Sequence, residues 1–161
     1  MENGFTQDLL NWISENPGWA SLLIFLVAWI ESLVVVGIIL PGIFILFGIG
    51  AMIGLGALEF YPVWLAATLG AFLGDIMSYG IGYRLREHLA DFWPFSRHPK
   101  MLERGRYFFR RHGTKSVIAG RFIGPLRPVI PATAGMLAMR PRHFLSVAIP
   151  ACILWAPAYL L

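Results

Sequence analysis

Four ionisable residues stand in stretches that are otherwise apolar. Glu31 is the only charge between Glu15 and Glu59, and Asp75 is the only one in 60–83. Arg121 and Arg127 are the only charges in 116–139. At membrane depth each would cost roughly 2.5–3.5 kcal/mol on insertion scales, so such groups tend to be retained for a function. The guanidinium fork matches phosphate oxygens and stays charged. A carboxylate in a partly dry site gains proton affinity and could load and release a proton. The acids lie in the first half of the chain and the arginines in the second. On one continuous helix, positions six apart diverge by about 120°. Gly124 and Pro125 lie between the arginines and relax that limit. The four side chains are therefore expected to share one site for a phosphorylated, lipid-like substrate and a proton. The plainer reading is two buried salt bridges that only fix the fold. Against it, apolar packing can replace such pairs. Tyr79 follows Asp75 by one helical turn and is expected either to hydrogen-bond that carboxylate or to pack.

The elements that must position these residues are apolar throughout. Of 161 residues, 57% are hydrophobic and 14% charged, with a mean hydropathy of +0.65. A soluble domain holds roughly 45–50% apolar and about 25% charged residues. A small soluble chain could not hide this excess. Soluble enzyme, disordered chain and disulfide scaffold are excluded, and a polytopic membrane protein is expected. The net charge of +4 would suggest nucleic acid in a soluble chain. Here the basic residues concentrate beside apolar segments, which points to topology instead. Nine Lys or Arg and three acids fall in 84–115, so that loop is expected to be cytoplasmic and the N-terminus periplasmic. Cys152, alone in an apolar run, reads as a small buried hydrophobe. Glu2, Asp8 and Glu15 precede any basic residue, unlike a secretory signal.

Leu40-Pro41-Gly42 interrupts the first apolar run, because proline lacks an amide proton and disfavours helix in the residue before it. Helical pieces are expected at 19–40 and 43–58. The second is short for a bilayer span, which favours a re-entrant hairpin over two spans. In 60–83, Gly70, Gly74, Ser78 and Gly82 recur every four residues and form a ridge for close helix packing. Within 84–115, Met101, Leu102, Tyr107, Phe108 and Phe109 alternate with arginines, as in an interfacial helix or a solvated basic loop. Residues 116–139 carry Pro125, Pro128 and Pro131 and suggest a second hairpin broken near Gly124-Pro125. A last apolar segment follows at 143–161. Leu161 falls inside it, which is compatible with a longer native chain. Phe5, Leu9, Trp12 and Ile13 suggest an interfacial helix over 3–16. The fold class expected is all-α: two inverted repeats, each an interfacial helix, a re-entrant hairpin and a transmembrane helix. Residues 1–83 are the first half, 84–115 the basic loop and 116–161 the second half of one membrane-embedded domain.

Several sites are rejected. Trp12, Trp19, Trp29, Trp64, Trp93 and Trp155 mostly lie near segment ends and suit interface anchoring, without a site role. His88, His98, His112 and His143 lack metal-ligand spacing. Arg121 to Pro128, RFIGPLRP, approaches the first phosphatidic-acid phosphatase signature. Its spacing is one short, its first residue is Arg rather than Lys, and the later motifs are absent. Neither a phosphate-cradling Gly-Lys-Ser/Thr loop nor an HExxH motif occurs. No catalytic residue, metal or cofactor is expected.

Glu31 with Leu40-Pro41-Gly42, Gly74-Asp75 with Tyr79 and Gly82, and GRFIGPLRPVIPATAG at 120–135 together resemble the DedA family, within the SNARE-associated or VTT-domain superfamily. The resemblance runs from about residue 20 to the end. It implies lipid transporters and scramblases with two opposed hairpins. Bacterial members are linked to undecaprenyl phosphate recycling across the inner membrane, envelope homeostasis and the proton motive force. Glu31 matches the family's acid before Pro-Gly, and Arg121 and Arg127 match its paired arginines. Many members place an acid directly after Pro-Gly, where this chain has Ile43. Asp75 is then a candidate second acid.

The function expected is translocation of a phosphorylated lipid, undecaprenyl phosphate or a phospholipid, across a bacterial inner membrane. Arg121 and Arg127 would bind phosphate, and Glu31 and Asp75 would carry protons. Tyr79, Pro41, Gly42, Gly124 and Pro125 would support them. The partners expected are membrane lipids, the lipid substrate and protons, without nucleic acid, and homo-oligomerisation is compatible with the pattern. Two alternatives stand: a proton-coupled small-ion or solute transporter, and a non-transporting scaffold.

Overall fold

The computed structural model describes Asp8, Asn11, Trp12 and residues 15–34, 36–37, 43–93, 95–123 and 126–160. Pro41, Gly42, Gly124 and Pro125 lie outside the described residues, as do Phe5, Leu9 and Ile13. The described elements are all helical. They are α1 (Pro17–Ser32), α2 (Ile43–Gly54), α3 (Phe60–Leu85), a 3-10 helix (Arg86–Asp91), α4 (Pro99–His112), α5 (Lys115–Phe122), α6 (Val129–Met136) and α7 (Pro141–Leu160).

Proline sets many of these starts. Pro17, Pro62, Pro99, Pro131 and Pro141 all fall in the first turn of a helix, where the missing N–H would have had no intrahelical partner. Pro150 and Pro157 lie inside α7 and free carbonyls one turn earlier. Pro157 cannot donate to Ile153, and the Trp64 indole Nε1–H donates to that carbonyl instead, at 3.3 Å.

α3 is the axis of the fold. Its 26 residues rise about 39 Å, more than the roughly 30 Å of a hydrocarbon core. By length and composition it could cross a membrane. Its small-residue ridge carries two partners. A Cβ on Gly74 would lie 2.5 Å from Ser32 Cβ and 2.7 Å from the Trp29 carbonyl oxygen of α1. A Cβ on Gly82 would collide with the Ala132 carbonyl of α6. Leu65, Leu69, Leu73 and Met77 form a second stripe on α3 and are exposed.

The packing pattern repeats between the two halves of the chain. α1 packs on α3 as α5 packs on α7, α2 packs on α7 as α6 packs on α3, and α3 and α7 touch each other. Three apolar clusters hold the whole together. The first, with Ile24, Ala67, Ala71 and Trp155, joins α1, α3 and α7. The second, with Val34, Leu102, Val129 and Ala132, ties α4 and α6 to the segment after α1. The third, with Tyr79, Val117, Ile130 and Phe144, joins α3, α5, α6 and α7.

Two boundaries differ from the sequence expectation. The first helical piece ends at Ser32, eight residues before the expected Leu40. There the Val34 N–H turns to Ser78 Oγ at 2.9 Å, and that hydroxyl donates to the Ser32 carbonyl at 3.0 Å. α3 thus supplies the partners that a continuing helix would have used. The second piece ends at Gly54 rather than 58, followed by a turn with Gly56 at φ +75°. The basic stretch does hold a helix, α4. It buries Leu102 and Gly105 and leaves Tyr107, Arg110 and Arg111 exposed.

Candidate functional site

The structure brings Glu31, Asp75, Arg121 and Arg127 into one buried cluster. Their exposures are 6%, 1%, 3% and 6%. Glu31 sits in the last turn of α1, not near the middle of a longer helix as the sequence suggested. Asp75 comes from α3, Arg121 from the last turn of α5, and Arg127 from just before α6.

The ion pairs cross between the halves. Arg127 Nη1 donates to Glu31 Oε1 at 2.6 Å, and its Nη2 donates to Ser32 Oγ at 3.3 Å. Arg121 Nη1 donates to Asp75 Oδ2. The Arg127 guanidinium lies against the C-terminal end of α1, whereas that of Arg121 reaches from the last turn of α5 to Asp75 of α3. The partial negative charge of a helix C-terminus favours a cation there. The end of α1 thus helps to hold the Arg127 cation beside Arg121.

Two further residues complete the cluster. Cys152 of α7 donates its thiol to Asp75 Oδ2 at 3.8 Å. The Trp155 ring, 1% exposed, lies under both arginines. Arg127 Cζ is 3.8 Å from its centroid and Arg121 Cζ is 5.4 Å. A buried cation over an indole face is stabilised by about 2 kcal/mol or more. This corrects the sequence reading, which gave Trp155 no site role. The signal was weak, because tryptophans near apolar segment ends are commonly interface anchors and nothing local marks a cation.

Tyr79 is placed elsewhere. Its hydroxyl donates to the Met139 carbonyl at 2.5 Å, and its ring stacks on Phe144 with centroids 4.5 Å apart. It shares a helix with Asp75 but reaches past it, tying α3 to the connection between α6 and α7. Its role is to hold the fold around the cluster.

The cluster is not fully satisfied from within. Among the described residues, Glu31 Oε2, Asp75 Oδ1, Arg121 Nε and Nη2, and Arg127 Nε are buried without a hydrogen-bond partner. Five such atoms in one place are costly, since each forgoes the bonds it made in water. Donors of the arginines and acceptors of the acids are mixed among these atoms.

A VTT domain is matched over residues 40–161. The chain belongs to this family, the DedA family of membrane proteins. The inner membrane protein YabI of Escherichia coli is 37% identical over 154 residues, covering 95% of this chain and 60% of that protein. An uncharacterized membrane protein of Buchnera aphidicola from Acyrthosiphon pisum is 39% identical, covering 94% of this chain and 59% of its own length. Protein DedA of Escherichia coli is 31% identical, covering 89% and 67%. The chain therefore spans about three fifths of the first two relatives. No solved structure matches it. Within the family's domain, Asp75, Arg121, Arg127, Cys152 and Trp155 all fall inside the matched range, whereas Glu31 precedes it.

Proposed function

We propose that this chain is the membrane-embedded core of an inner-membrane transporter that moves a phosphorylated lipid, undecaprenyl phosphate or a phospholipid. It acts by binding and proton exchange and not as an enzyme. The observation that carries the reading is the cluster of two arginines and two carboxylates with five unpartnered polar atoms. As a purely structural device it would be poor, because buried ion pairs contribute little net stability. As a binding site it is apt. Phosphate oxygens would take the free Nε and Nη2 donors of Arg121 and the free Nε of Arg127. Protons arriving on Glu31 and Asp75 would release the arginines from their pairs at the moment the anion arrives.

An inverted-repeat arrangement belongs to this reading. α1, α2, α5 and α6, of 16, 12, 8 and 8 residues, rise roughly 24, 18, 12 and 12 Å. Each falls short of a hydrocarbon core. As two re-entrant hairpins entering from opposite faces, α1–α2 and α5–α6 would bring their breaks, and the four charges, to mid-membrane. The mirrored packing of the halves agrees with that arrangement.

Lipid flipping in proteoliposomes tests the proposal. Arg127→Ala and Glu31→Ala are expected to abolish flipping while leaving a monodisperse, folded protein. Unchanged flipping in both would sink the mechanism. The charge swap Glu31→Arg with Arg127→Glu separates transport from scaffolding: a scaffold would regain function and a transporter would not.

A further inference from the structure

The geometry points to a tail-binding groove between α3 and α7 that holds the hydrocarbon chain of a single-chain phosphate monoester. The inference rests on the phosphate reading above and adds where, and how many, chains are bound. The groove has a volume of about 320 Å³ and is lined by Leu65, Leu69 and Phe72 of α3 and by Ile149, Cys152 and Ile153 of α7. It opens sideways, since Leu65, Leu69, Ile149 and Ile153 are 41–54% exposed.

Continuity with the charged cluster identifies the occupant. The Cys152 thiol lines the groove and donates to Asp75 Oδ2, the same oxygen that accepts from Arg121. One side chain, Cys152, therefore stands between the groove and the ion pair. Its walls are fixed to each other by Trp64, also part of the lining, through the bond to the carbonyl that Pro157 leaves free.

Charge and size select the class. With Glu31 and Asp75 protonated, the cluster carries two positive charges. A phosphate monoester carries about −1.5 to −2 at neutral pH, close to neutralising them. A phosphodiester carries half that. The groove sits at the small end of ligand clefts, which span roughly 300–1,000 Å³, so one chain fits better than two. A polyprenyl monophosphate meets both conditions. A diacyl lipid meets at most the first.

The test uses farnesyl phosphate with a diazirine at its tail end, added to the chain in phosphatidylcholine vesicles. Adducts are expected on 60–85 and 141–160, lost in Arg127→Ala and displaced by farnesyl phosphate at least about tenfold better than by phosphatidic acid. Leu69→Trp and Ile149→Trp fill the groove from opposite walls. Each should weaken farnesyl phosphate by about tenfold and leave butyl phosphate within about twofold. Arginine-dependent binding with adducts elsewhere, or equal competition by phosphatidic acid, would overturn the groove and leave the phosphate reading intact. Groove adducts indifferent to Arg121→Ala and Arg127→Ala would overturn the phosphate reading. An absence of saturable labelling would overturn both.

Discussion

Glu31, Asp75, Arg121 and Arg127 can be told apart from structural ion pairs by their energetics. Asp75 is 1% exposed and serves both Arg121 and Cys152 through one oxygen. Arg121→Met alone strands that carboxylate and should cost about 3–5 kcal/mol. Asp75→Val with Arg121→Met removes both charges, and its stability should return to within about 1–2 kcal/mol of the parent, since buried pairs are replaceable by apolar packing. Flipping should stay absent in both. Thermal unfolding in detergent beside a flipping assay checks this, and a double variant that flips lipid would assign the pair to the fold alone. These four residues were legible in the sequence because a charge in an apolar run is conspicuous. Trp155 was not, since its importance comes from two cations that approach from α5 and from before α6. For Tyr79 a bond to Asp75 and packing both stood open, because spacing along α3 fixes its side of the helix and not the reach of its phenol to Met139.

At the scale of elements, the four-residue ridge of α3 sets where the broken helices dock. Gly82 and Gly80 give a controlled comparison on one helix. A Cβ at Gly82 runs into the Ala132 backbone, whereas one at Gly80 meets nothing within 4 Å. Backbone cannot step aside as a side chain can, so Gly82→Ala should destabilise by about 1–3 kcal/mol or more. Gly80→Ala should stabilise by about 0.5–1 kcal/mol, because alanine loses less backbone freedom in a helix. Melting temperatures of the two variants check the sign, and equal effects would show that the ridge does not seat α6. This ridge was readable from spacing alone. The end of α1 was not. Residues 33–40 are apolar and could continue a helix, but Ser78 of α3 captures the Val34 N–H and the Ser32 carbonyl. A tertiary hydrogen bond overrides local propensity there, and it leaves Glu31 at a helix end, where Arg127 can reach both it and Ser32.

For the molecule as a whole, the proposed function depends on sidedness, because hairpins entering from opposite faces are what place acids against arginines. The charge asymmetry carries the proposed orientation. α4 carries Lys100, Arg104, Arg106, Arg110 and Arg111 against Glu103, and short basic stretches are retained in the cytoplasm. α3 would then run from the periplasmic to the cytoplasmic face, and α7 back again. The chain offers a direct check, since Cys152 is its only cysteine and is 1% exposed. In a Cys152→Ser background, Arg104→Cys and Glu15→Cys each place one thiol at an exposed position. A membrane-impermeant maleimide should label Arg104→Cys in inverted vesicles only. It should label Glu15→Cys in intact spheroplasts only. Labelling of both from one face would place an even number of crossings between residues 15 and 104. The two hairpins would then enter from the same side, and the mirrored packing of α1 on α3 and α5 on α7 would need another origin.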